Sequence, residues 1–109
     1  MDRVELCSVT NAFEIHGRGL VLVPDFSVPD GWKDREEVVV LEHPEGNRIE
    51  SRAIFNLTHF NISDPTIPLD RRWRVVLLLP DLKKRDAPAG TKIFVSAEIR
   101  NVLIGRNPS

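Results

Sequence analysis

Short apolar runs, rich in β-branched residues, recur along the chain and are separated by glycine, proline or charged clusters. Runs of this length and spacing predict strands. The first covers residues 4–9. In the second, Phe13 and Ile15 alternate with Glu14 and His16, which predicts a half-buried strand with the phenylalanine and isoleucine inward. Residues 20–23 are continuously apolar and stop at Pro24, which has no N–H for a ladder. A turn follows at Pro29-Asp30-Gly31. Residues 37–41 are the next strand, and Pro44-Glu45-Gly46-Asn47 turns the chain back into a long segment reaching residue 62. There Ile49, Ala53, Phe55 and Leu57 share one parity, whereas Phe60 and Ile62 fall on the other. One period of two cannot bury both sets, so a bulge or bend near Thr58 and His59 is expected.

Residues 73–79 form the strongest strand, almost wholly apolar, and residues 92–97 another. The tail, residues 99–104, reads as a last strand or a short helix. No window of ten residues carries a convincing helical period. Six or seven strands without repeats or a linker predict one all-β domain over residues 1–104, a small barrel or sandwich, with 105–109 as a flexible tail.

The chain has 109 residues, enough to bury a core without a disulfide or metal. It is 41% hydrophobic and 28% charged, as a globular domain is, and its net charge of −1 gives no overall pull toward nucleic acid or an anionic membrane. Cys7, the single cysteine, sits among apolar residues and reads as a buried structural thiol. The opening Met-Asp-Arg-Val-Glu is charged where a signal peptide needs an apolar core, and no run approaches a membrane span. A cytoplasmic location is expected, and the Met1 start suggests a complete small protein. Asn56-Leu57-Thr58 and Asn61-Ile62-Ser63 are read as chance sequons.

Candidate chemistry is sparse. Gly17-Arg18-Gly19 leads into a strand and lacks the remaining glycines, the lysine and the helix of a phosphate loop, so it reads as a corner between antiparallel strands. His16, His43 and His59 have no metal-motif spacing. No serine sits in a nucleophile-elbow pattern. The acids Asp25, Asp30, Asp34, Glu36 and Glu37 are interleaved with Lys33 and Arg35, as on a solvated face. No catalytic residue, cofactor or metal is therefore expected. Lys83-Lys84-Arg85 and Asp70-Arg71-Arg72 are the basic runs. Most aromatics, including Phe13, Phe94 and Trp73, fall at positions that look like core. Trp32, on a loop, either caps the core or marks a contact site.

The block Phe13-x-Ile15-x-Gly17-Arg18-Gly19-x-Val21 resembles the opening of domain 2 in translational GTPases such as elongation factor Tu. Residues 36–40, residues 75–79 with Lys83-Lys84-Arg85-Asp86, and the Pro88-Ala89-Gly90 segment are similar to later blocks of that domain. The resemblance covers roughly residues 4–95 and implies a closed translation-factor-like β-barrel of six strands, here without the GTPase domain. In elongation factor Tu this barrel helps to hold the aminoacyl end of tRNA, and Phe13 and Ile15 match two residues of that pocket. Thr10 and Asn11 stand where the family is acidic, Val23 where it has threonine and Arg35 where it has glycine. These changes remove polar groups that would grip an aminoacyl ester.

The expectation is a non-catalytic binding module with an unidentified protein partner. Its contact surfaces would be the Trp32 loop and the loop of residues 64–73, with Trp32, Arg71 and Arg72 as contacts. The alternative is an RNA-, tRNA- or ribosome-binding accessory domain using Arg18, Lys83, Lys84 and Arg85.

Overall fold

Seven antiparallel strands make one sheet: β1 (Arg3–Ser8), β2 (Asn11–Ile15), β3 (Gly19–Phe26), β4 (Arg35–Glu42), β5 (Arg48–His59), β6 (Trp73–Leu79) and β7 (Lys92–Ser96). A helix, α1 (Ala97–Ile104), follows. The computed structural model describes residues 3–59 and 73–104. Phe60, Ile62, Arg71, Arg72, most of the 64–73 loop and the expected tail at 105–109 lie outside the described residues.

The order across the sheet is β1-β7-β4-β5-β6-β3-β2. The fold is thus all-β and barrel-like, but the expected closed barrel is corrected to a curled half-barrel. The reason lies in how the first segment spends its hydrogen bonds. Among the described residues β1 pairs only with β7, and β2 only with β3. Between them, the Val9 N–H donates to Thr91 O at 2.7 Å and the Thr10 N–H to Val23 O at 2.9 Å. Two residues therefore carry the chain from one edge of the sheet to the other, and β1 and β2 stay unpaired with each other. Val9 is buried at this crossing.

The concave face holds the core. Leu20 and Leu22 of β3, Val39 and Leu41 of β4, Ala53 and Phe55 of β5, and Val75, Leu77 and Leu79 of β6 are almost fully buried. Ile93 and Val95 of β7 join them, with Ile99 and Leu103 from α1. The i, i+4 spacing of Ile99 and Leu103 puts both on one helix face. Ser96 Oγ accepts the Ile99 N–H at 3.3 Å at the helix start, a local bond that favours helix over a further strand.

The β4–β5 hairpin forms as its turn residues predict, with the Gly46 N–H on His43 O at 2.7 Å. The Pro29 turn is closed by the Trp32 N–H on Pro29 O at 3.2 Å. Up to His59 no bulge interrupts β5, which keeps one register with β6 from Ile54 opposite Leu78 to His59 opposite Trp73; the expected change of phase at Phe60 and Ile62 lies outside the described residues. Register shifts occur between Glu5 and Cys7, and between Leu22 and Phe26. The second contains Pro24, so β3 continues past the proline where no ladder N–H is needed.

Candidate functional site

The convex face of β2, β3, β6 and β5 is unusually apolar. Phe13 lies opposite Val21, Val21 opposite Leu78, and Leu78 opposite Ile54. Directly paired residues project to the same side of a sheet, so these four form one outward row. The same register puts Ala12, Leu22, Leu77 and Phe55 inward. This reverses the orientation expected for β2: Ala12 is buried, whereas Phe13 and Ile15 are 48% and 42% exposed. The small alanine fits the interior beside Leu22, and Phe13 lies beside Val21 on the outer surface of β3. Two other aromatics depart from the core in the same way. Trp73 is 44% exposed, and Phe94 faces outward under the Arg48 guanidinium, 4.9 Å from its ring centroid.

A groove of about 230 Å³ runs over this face. Ile15, Val21, Val76 and Leu78 supply its apolar surface, with Arg18, Asn56 and Thr58 at polar positions. The volume is below the roughly 300–1,000 Å³ of small-molecule sites, so it suits one or two side chains of a partner.

The Gly17-Arg18-Gly19 corner sets the end of the groove. The Arg18 N–H donates to Ile15 O at 2.9 Å. Gly17 takes φ +78°, with open space where a Cβ would stand. Gly19 is more constrained: φ is +123°, and a Cβ would come within 2.5 Å of Pro80 Cα and 2.7 Å of Leu79 O. The chain at the end of β6 thus passes directly against Gly19, and no anion cradle or helix N-terminus forms there. Arg18 is exposed on this corner. Arg3, Arg35, Arg48, Arg52 and Arg74 each pair with a carboxylate, and Arg100 donates to Glu5 O. Among the described arginines, only Arg18 and Arg85 have no such side-chain partner.

A second cleft adjoins the groove, lined by Glu14, His16, Arg18, Asp81 and Lys83. The fold thus brings Arg18 and Lys83 together. The Lys84 N–H donates to Glu14 Oε2 at 3.0 Å, which fixes the basic run beside β2. Arg85 points elsewhere, into a depression with His43, Asn47 and Asp86.

Trp32 is half-buried and packs against the core, and its Nε1–H donates to Asp34 Oδ1 at 2.9 Å. The same Asp34 oxygen accepts the Leu57 N–H at 2.8 Å. A shallow depression beside the ring is lined by Pro29, Lys33, Arg35 and Val102.

Cys7 is partly buried against the core, and burial, with the nearby Glu5 charge, pushes its thiol up to about 11. A thiol held protonated in this way is a poor nucleophile at neutral pH. Among the described residues no three His, Cys, Asp or Glu side chains are disposed to hold a metal ion, and no helix is long and apolar enough to cross a membrane. The chain matches no family model, no curated protein and no solved structure.

Proposed function

We propose that this chain is a non-catalytic binding module that holds a protein partner on its convex apolar face. The supporting observation is the half-exposed pair Phe13 and Ile15 beside the small groove over Val21, Val76 and Leu78. Large apolar side chains presented together on a rigid sheet are the usual signature of a contact surface. The likeness of residues 13–21 to a translation-factor barrel belongs to this proposal and rests on the sequence blocks alone. In-cell photo-crosslinking tests the reading, with a benzophenone amino acid in place of Phe13 and, as a control, in place of exposed Glu45. Discrete protein adducts from position 13 alone are expected. Identical adducts from both positions, or none from position 13, would contradict it.

RNA binding is the second reading, supported by Arg18 and Lys83 sharing one cleft. It predicts adducts to RNA and an affinity that falls steeply with salt.

A further inference from the structure

The groove and the basic cleft share Ile15 and Arg18, so they form one continuous surface with an apolar half and a charged half. The charge of the second half depends on which groups are already matched. Asp81 is held by Arg52, with Nε 3.3 Å from Oδ2. Glu14 is tied to the Lys84 N–H. Among the described residues lining the cleft, Arg18 and Lys83 then stand as two cations against one acid without a cation of its own, Glu14. The chain as a whole carries a net charge of −1, so this is a local separation of charge. Arg18 is the group that joins the halves: it lines the apolar groove and pairs with no carboxylate among the described residues.

We propose that the partner segment held here is acidic and apolar: an aliphatic or aromatic side chain enters the groove over Val76 and Leu78, and an adjacent carboxylate meets Arg18, with further acids directed toward Lys83. This rests on the convex face being the protein-binding surface and adds the chemistry of what it binds. A guanidinium beside an apolar wall is well suited to a carboxylate, because it donates two parallel hydrogen bonds to the carboxylate oxygens and is weakly hydrated. Nearby low-dielectric surface strengthens the pairing relative to open water. A peptide with lysine or arginine beside its apolar anchor would be repelled by Arg18 and Lys83.

Selection from a displayed library of random 12-residue peptides tests the inference. Enriched peptides are expected to carry Asp or Glu next to an aliphatic or aromatic residue. Selection on Arg18→Glu is expected to shift the enriched sets toward Lys and Arg. A synthetic enriched peptide should bind Arg18→Gln about tenfold or more weakly than the parent protein, the size expected for a charge-assisted contact. It should lose binding to Ile15→Ser altogether, while both variants keep the parent circular dichroism. Enriched apolar peptides without acids, still dependent on Ile15, would overturn this inference and leave the apolar-face reading standing. No enrichment, or binding indifferent to Ile15→Ser, would overturn both. Displacement of the peptide by an equal concentration of 12-mer polyuridine would overturn it in favour of RNA.

Discussion

At the Trp32 loop the indole N–H goes to Asp34, Asp34 also takes the Leu57 N–H, and Arg35 pairs with Glu37, so the aromatic and the arginine both have partners within the chain. At the Gly17-Arg18-Gly19 corner the opposite holds. Phe13 and Ile15 stand half exposed, and Arg18 has no carboxylate partner among the described residues. Both regions carry an aromatic and an arginine, so composition does not separate them. Satisfaction does. The tryptophan already has the contacts that a partner would offer, whereas the corner presents both apolar surface and charge without internal use for them. On the proposed reading, the loop with the more conspicuous residue serves stability and the plainer strand is the docking surface.

Substitutions sharpen this contrast. The largest effect is expected at Gly19, where the corner is anchored. A Cβ there meets backbone atoms that cannot move alone, so Gly19→Ala should cost at least about 3 kcal/mol. Gly17→Ala faces open space and only a left-handed φ, so about 1 kcal/mol is expected. Urea unfolding of the two variants measures the difference; equal midpoints would refute the close approach to Pro80. Next comes Trp32→Ala, which should cost about 2–3 kcal/mol, less than a fully buried tryptophan, because the ring is half-buried against the core. A loss below about 0.5 kcal/mol would place the ring outside the core and reopen the loop as a contact site.

Cys7 lies on the stability side of the comparison. Its folded-state thiol, at about 11, is above its ordinary value of 9.0, chiefly because of burial and secondarily because of Glu5. The native state then binds more protons than the unfolded state between these values. Stability should be unaffected below pH 9 and should fall as pH rises from about 9 to 11, by up to about 1.4 kcal/mol per pH unit. Urea midpoints compared at pH 8 and pH 10.5 should show this excess loss in the parent and not in Cys7→Ala; the same pH dependence in both would remove Cys7 as its source. The smallest stability effect is expected for Phe13→Ser and Ile15→Ser, each within about 1 kcal/mol because both side chains are half exposed. A larger loss would mean that the convex face is part of the core.

Much of the fold was legible from apolar periodicity. The run at 73–79 is strand β6 to the residue, and the turns at Pro29 and Pro44 are where the breakers stand. The open edge was not legible, because it depends on Val9 and Thr10 pairing with different neighbours, a long-range choice that no local pattern encodes. The orientation of β2 was misread because Phe13 and Ile15 alternate with polar residues, as inward residues do. A signal was present elsewhere. Residues 20–23 and 75–79 are apolar at every position, which means that both faces of β3 and β6 are apolar there. An edge strand beside them can then rest its large side chains on the outer face. Arg18 stood out in the sequence as part of a motif, but its lack of a partner is a property of the folded surface. Lys83 and Arg85 adjoin in sequence and diverge in space, because the chain turns at a single 3₁₀ turn, Lys84–Asp86.

The central claim is that the convex face, and not the Trp32 loop, takes the partner. Titrating the ¹⁵N-labelled protein with a peptide selected on it tests that claim most directly. The account predicts backbone amide shifts concentrated at Phe13, Ile15, Arg18, Val21, Asn56 and Thr58. Shifts concentrated at Gly31, Trp32, Lys33 and Val102, with residues 13–21 unmoved, would contradict it.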